Sequence, residues 1–104
     1  MKDPEIGKVL EFLANSDFPQ DTLELRKAYD AMGEVFPPAA DVQLEKISAN
    51  GVVAEWSSTP NAAKDRVVMY LHGGGYVIGS IASHRHLVTE LGRAVGSLAL
   101  SLDY

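Results

Sequence analysis

The sequence predicts an α/β fold built around one parallel strand–helix–strand unit. Three observations predict it. Val67-Val68-Met69-Tyr70-Leu71 is apolar at every position, the pattern of a strand buried on both faces in a parallel sheet. After Ser83, which can cap a helix, Leu87, Val88, Leu91, Ala94 and Val95 share one helical face, and Gly96 is a natural stop. Leu98-Ala99-Leu100-Ser101-Leu102 then reads as a second, mostly apolar strand. Crossovers of this kind are right-handed in nearly all cases.

The preceding elements follow in order. Residues 4–14 have Ile6, Val9, Leu10 and Leu13 at helical spacing, with Pro4 suited to the first turn. Asp21 is placed as the cap of a second helix, with Glu24 three residues later as its capping-box partner. Leu25, Ala28, Tyr29, Met32, Val35 and Phe36 form its apolar stripe. Gly33 weakens that helix, and Pro37-Pro38 ends it. "DVQLEKISA" and "VVAEWSS" read as two strands joined by Asn50-Gly51. Asn-Gly is the strongest short hairpin signal, because both turn positions need positive φ. In the first strand the apolar positions Val42 and Leu44 fall out of register with Ile47 by one, and Trp56 is a packed residue of the second. "TPNAAKDR" is a polar loop.

Composition narrows the function. The 104 residues suffice for one small domain, and 46% hydrophobic with 22% charged residues is a globular balance. The net charge of −5 and the absence of any basic run argue against nucleic acid or an anionic membrane as partner. There is no cysteine, hence no disulfide framework and no thiolate metal site. No apolar run approaches the roughly 18 residues of a membrane span, and Glu11 interrupts the only N-terminal one. The expected location is cytoplasmic.

Chemistry in an α/β sheet gathers beyond the carboxyl ends of the strands. His72-Gly73-Gly74-Gly75 stands at such an end, and glycine is costly to order. Three mechanisms could use that bare backbone. Dinucleotide binding asks for G-x-G-x-x-G, but Gly73, Gly75 and Gly79 have one residue too many before the last glycine, and neither Glu90 nor Asp103 sits where the acidic partner should. A phosphate-cradling loop would need a lysine between Gly79 and Ser80, and none is there. An oxyanion hole needs two or three backbone N–H groups aimed at one oxygen, with no side chains crowding the substrate. A plain strand-to-helix turn needs no more than one glycine.

"LHGGGYVIGS", with "SHRHLV" and "ALSLDY" after it, resembles the bacterial hormone-sensitive-lipase-like carboxylesterases, whose HGGG motif follows a buried strand. The resemblance is strong over residues 67–104 and looser before them. It implies the N-terminal part of an α/β-hydrolase fold: two lid helices (1–38), then a β-hairpin and one parallel βαβ unit (39–104). It implies a serine carboxylesterase acting on a small ester, with no cofactor and no metal. Gly74 and Gly75 would supply the oxyanion N–H groups, Gly73 the tight turn, and His72 a brace for the loop through its ring. Tyr29, Met32, Phe36 and Tyr76 are candidates for the pocket or lid.

The sequence departs from the family in one respect. No serine here has the G-x-S-x-G setting of an α/β-hydrolase nucleophile. Nucleophile, acid and base are therefore expected outside these residues, in a missing C-terminal part of the same enzyme, and the chain alone is expected to be inactive. In the family's sheet the Val67–Leu71 strand has a further neighbour; without it the strand is an open edge, which can pair with another copy. That leaves an oligomer, or a non-catalytic assembly module, as the rival expectation, and a mononucleotide-binding half-domain as a third. His84 and His86, two apart on a helix, point to different sides and read as exposed first-turn residues rather than a metal pair. Asp103 reads as a loop carboxylate.

Overall fold

A computed structural model of the chain describes residues 3–104. Asp3 caps α1 (Pro4–Ala14) by accepting the Glu5 N–H at 2.8 Å. Ile6, Val9, Leu10 and Leu13 stay largely exposed, because α1 packs on no other described element. Asp21 caps α2 (Thr22–Val35) through the Glu24 N–H at 3.0 Å, as the sequence predicts. The Glu24 carboxylate turns instead to Lys27 Nζ, 2.8 Å away. Phe36 ends the helix immediately before the two prolines.

Strand β1 (Gln43–Ala49) and strand β2 (Val52–Ser58) pair antiparallel from Gln43–Ser58 to Ala49–Val52. Asn50 (φ 53°) and Gly51 (φ 92°) make the turn, both with the positive φ expected of Asn-Gly. The one-residue offset between Leu44 and Ile47 is not a bulge. The ladder is continuous, so the two residues lie on opposite faces of the strand.

Strand β3 runs from Ala63 to Leu71 and so starts inside the stretch expected to be a polar loop. Ala63 donates its N–H to Gly96 O at 2.9 Å and pairs with Ser97; a register shift separates that contact from the regular ladder at Val67. Lys64, Asp65 and Arg66 are exposed, so polarity here marks an open strand edge and not a loop. Helix α3 (Ile81–Val95) crosses back, Gly96 closes it in the left-handed region (φ 64°, ψ 36°), and β4 (Ser97–Leu102) follows. The sheet order is β1-β2-β4-β3, with β3 and β4 parallel and the other neighbours antiparallel.

The cap of α3 is Ser80, not Ser83. Ser83 is the third helical residue, and the two serines close a reciprocal capping box. The packed face of the helix also differs from the expected stripe. Ile81, Val88, Thr89 and Gly92 are buried, whereas Leu87, Ala94 and Val95 are exposed. Gly92 decides this. A methyl at that position would stand 3.2 Å from the Ala99 side chain, so glycine draws the helix onto the centre of the sheet. Below it lie Ala99, Ser97, Ser101 and Ser57, small residues that permit a close approach.

Strand β3 is covered on one face only. Val68 and Tyr70 lie half-buried on the α3 side, while Val67, Met69 and Leu71 are 46, 61 and 59% exposed on the other. The expectation of burial on both faces therefore does not hold among the described residues. Leu98, Leu100 and Leu102 share that uncovered face, and Trp56 is half-buried beside them, opposite Leu100.

Candidate active site

The loop between β3 and α3 turns sharply at the carboxyl end of β3. Its positive φ angles fall at Gly74 (141°), Gly75 (62°), Tyr76 (62°) and Gly79 (100°), and not at Gly73. Two of these positions accept no side chain for a second reason. A methyl at Gly74 would meet Ile78 O at 1.8 Å, and one at Gly79 would meet Gly73 O at 2.2 Å. At Gly73 and Gly75 a methyl would meet only open space. The Val77 and Ile78 N–H groups both donate to Gly74 O at 3.1 Å and close the turn. The N–H groups of Gly74 and Gly75 are taken up by no acceptor among the described residues.

The loop lines a pocket of about 600 Å³ together with Arg26, His72 and Tyr104. His72 is buried (6% exposed), with Nδ1 3.0 Å from Gly73 O. A carbonyl only accepts, so Nδ1 carries the proton in that contact. Nε2 is buried without a partner among the described residues. Tyr104 stacks on the imidazole, ring centroids 4.4 Å apart and planes 18° from parallel, and its hydroxyl donates to His72 O. His72 is thus held between the loop it leads into and the end of β4.

The structure distributes the remaining candidates unevenly. Tyr76 lines the pocket and is fully exposed. Tyr29 and Met32 are half-buried on α2 and Phe36 is 54% exposed at its end; none of the three lines this pocket. From α2 only Arg26 does. Arg26 Nε donates to Val77 O at 2.6 Å, and Ser80 Oγ donates to Asp30 Oδ1 at 2.5 Å. Arg26, Asp30 and Tyr104 carry no site signal in the sequence reading, and Ser80 enters it only beside the rejected phosphate-loop pattern. The available signal was the spacing of Arg26, Asp30 and Gly33, which share one helical face.

His84 is not an exposed helix residue. Its ring lies 5.9 Å from those of both Tyr70 and His72, and Nδ1 is 2.8 Å from Ser83 Oγ. Burial, with the nearby His72 charge second, holds its pKa below the ordinary imidazole value of 6.5; the Ser80 backbone opposes this weakly. His86 is exposed, its Nδ1 3.1 Å from Pro37 O. Asp103 is exposed and uses its backbone N–H to bond Val53 O. Among the described residues no cluster of His, Cys, Asp or Glu could hold a metal ion, and no helix is long and apolar enough to cross a membrane.

Comparison with known proteins agrees with this fold. Residues 68–104 match a family model described as the alpha/beta hydrolase fold. An acetyl-hydrolase of Streptomyces hygroscopicus is 34% identical over 110 residues, spanning all of this chain and 35% of its own length. An esterase of Acinetobacter venetianus is 30% identical over 80 residues, 77% of this chain and 26% of its own. Among solved structures, an esterase of the bacterial hormone-sensitive lipase family superposes with a TM-score of 0.90 at 40% identity, covering 100% of this chain and 36% of that one. The structure of EstE5, soaked with p-nitrophenyl butyrate, gives 0.88 at 37% identity, covering 99 and 36%. The chain thus spans about a third of the length of the relatives it matches. The resemblance and the fold class read from the sequence are both borne out.

Proposed function

We propose that this chain, which has the N-terminal part of an α/β-hydrolase fold and is similar to bacterial hormone-sensitive-lipase-type esterases, supplies the oxyanion half of a carboxylic ester hydrolase. The observation that supports this reading is the pair of unengaged N–H groups at Gly74 and Gly75, in a turn at the carboxyl end of a parallel strand. When a nucleophile attacks an ester, the carbonyl oxygen becomes an oxyanion. Fixed N–H donors stabilise it more than the starting carbonyl, and one such donor is worth roughly 2.7–4 kcal/mol. The turn that aims them is already closed by Gly74 O, so no reorganisation is needed during the reaction.

In this reading a serine outside residues 1–104 attacks, with a histidine and an acid moving its proton. The pocket beside the loop takes a short acyl or alcohol group, and Tyr76 edges it. The lid segment expected at 1–38 is carried by α1 and α2, with residues 1–2 outside the described residues. Oxyanion-hole and lipase-like chemistry, a cytoplasmic location and a small-ester substrate all belong to this proposal, with no cofactor. The test is hydrolysis of p-nitrophenyl butyrate by the full-length protein that carries this chain. Turnover blocked by a fluorophosphonate, which labels a serine outside residues 1–104, is the expected result. No turnover and no labelling would overturn the reading.

A further inference from the structure

Three residues of one α2 face lie along the segment that closes the glycine turn. Arg26 Nε bonds Val77 O, Asp30 accepts the Ser80 hydroxyl, and Gly33 lies against Ala82. A methyl at Gly33 would stand 2.1 Å from Ala82 O, so the helix that carries Arg26 and Asp30 is seated as close as backbone allows. The spacing of four and then three residues is what a straight helix needs to present all three along one line.

We propose that Arg26 and Asp30 are positioning residues of the oxyanion loop, and that α2 is part of its scaffold. The inference rests on the oxyanion reading of Gly74 and Gly75. The chain of contacts is short. Arg26 fixes the carbonyl of Val77. The N–H of that same residue and of Ile78 bind Gly74 O, and so set the rotation of the peptide that carries the Gly75 N–H, while the Gly74 N–H shares its peptide with Gly73 O, which His72 Nδ1 holds. Asp30 fixes Ser80, whose Oγ also accepts the Ser83 N–H as the α3 cap. One end of the loop is thereby held by β3 through His72, and the other by α2 through two charged side chains. Neither Arg26 nor Asp30 needs to touch substrate to act. A donor displaced by about 1 Å can cost on the order of 100-fold in rate.

The test uses Arg26→Gln, Asp30→Ala and Asp30→Asn in the full-length protein, with active sites counted by fluorophosphonate titration. Arg26→Gln and Asp30→Ala should lower kcat per titrated site by about 10- to 100-fold with KM nearly unchanged, because only the transition state uses the loop geometry. Asp30→Asn keeps an acceptor oxygen for Ser80 and should recover most of that loss. Amide exchange is the second readout. The Val77 and Ile78 N–H groups should exchange about tenfold faster in the two disruptive variants, with sheet amides unchanged. A merely structural role would lower the melting temperature and the number of titratable sites while leaving kcat per site and that local exchange intact, and would overturn the inference. If the wild-type protein neither hydrolyses esters nor takes the label, the functional reading fails on its own, and the exchange measurement still decides whether α2 holds the loop.

Discussion

Tyr104 lies flat on His72, the two rings 4.4 Å apart and 18° from parallel, and its hydroxyl reaches the His72 carbonyl oxygen. The contact joins the end of β4 to the start of the glycine loop across 32 residues of sequence. Tyr104→Phe keeps the stack and loses the hydrogen bond; Tyr104→Leu loses both. We expect the leucine variant to lose about 1 kcal/mol of stability and the phenylalanine variant less. The His72 ring protons report the stack directly: their upfield ring-current shift persists in Tyr104→Phe and disappears in Tyr104→Leu.

The glycines of the loop are not equivalent, and their alanine variants should rank accordingly. Gly74→Ala and Gly79→Ala place a methyl within 1.8 and 2.2 Å of backbone oxygens at positive φ, so the loop must rearrange. Gly75→Ala meets no atom but keeps φ at 62°, a strain of about 1–2 kcal/mol for an L-residue. Gly73→Ala meets neither obstacle and should stay within about 0.5 kcal/mol of wild type. Chemical denaturation of the four variants gives the order.

A second long-range contact holds α3 to the hairpin. Arg85 binds both carboxylate oxygens of Glu55, Nε to Oε1 at 2.8 Å and Nη2 to Oε2 at 2.9 Å, and Glu55 is 5% exposed. Arg85→Ala leaves that carboxylate buried and unpaired, so we expect a loss of about 3–5 kcal/mol. Replacing both residues with apolar ones of similar size should cost much less. A double-mutant cycle read by urea unfolding checks both statements.

His84 gives the fold an acid-sensitive element. Its folded pKa lies below the unfolded value of 6.5, mainly because of burial. The unfolded chain therefore binds the proton more tightly. The stability this residue contributes is complete above pH 6.5 and is lost as pH falls through that value toward the folded pKa. The His84→Gln variant should show a flatter stability profile in that window. An unchanged slope would contradict the assignment.

What was legible in the sequence was what neighbouring residues determine. Asn50-Gly51, Gly96 and Asp21 each carry a local physical requirement, and each does what that requirement predicts; the apolar run Val67–Leu71 is a strand as expected, though one of its faces is uncovered. The motif His72–Gly75 located the candidate site for the same reason. The misplacements came where distant contacts decide. Ser80 outcompetes Ser83 as the cap because Asp30, 50 residues away, also holds its hydroxyl. The packed face of α3 follows Gly92 against Ala99 rather than the Leu87–Val95 stripe. The polar residues 64–66 are strand because Ala63 finds Gly96. The spacing of Arg26, Asp30 and Gly33 marks a shared helical face, but nothing local says that its arginine reaches a carbonyl 51 positions on.

In the proposed function, Gly74 and Gly75 present their N–H groups to an oxyanion. A crystal structure of the full-length protein with a phosphonate bound covalently at the serine tests it most directly. One phosphonyl oxygen is expected about 2.7–3.1 Å from both the Gly74 and Gly75 nitrogens. An oxygen directed elsewhere, with those two N–H groups left facing solvent, would contradict it.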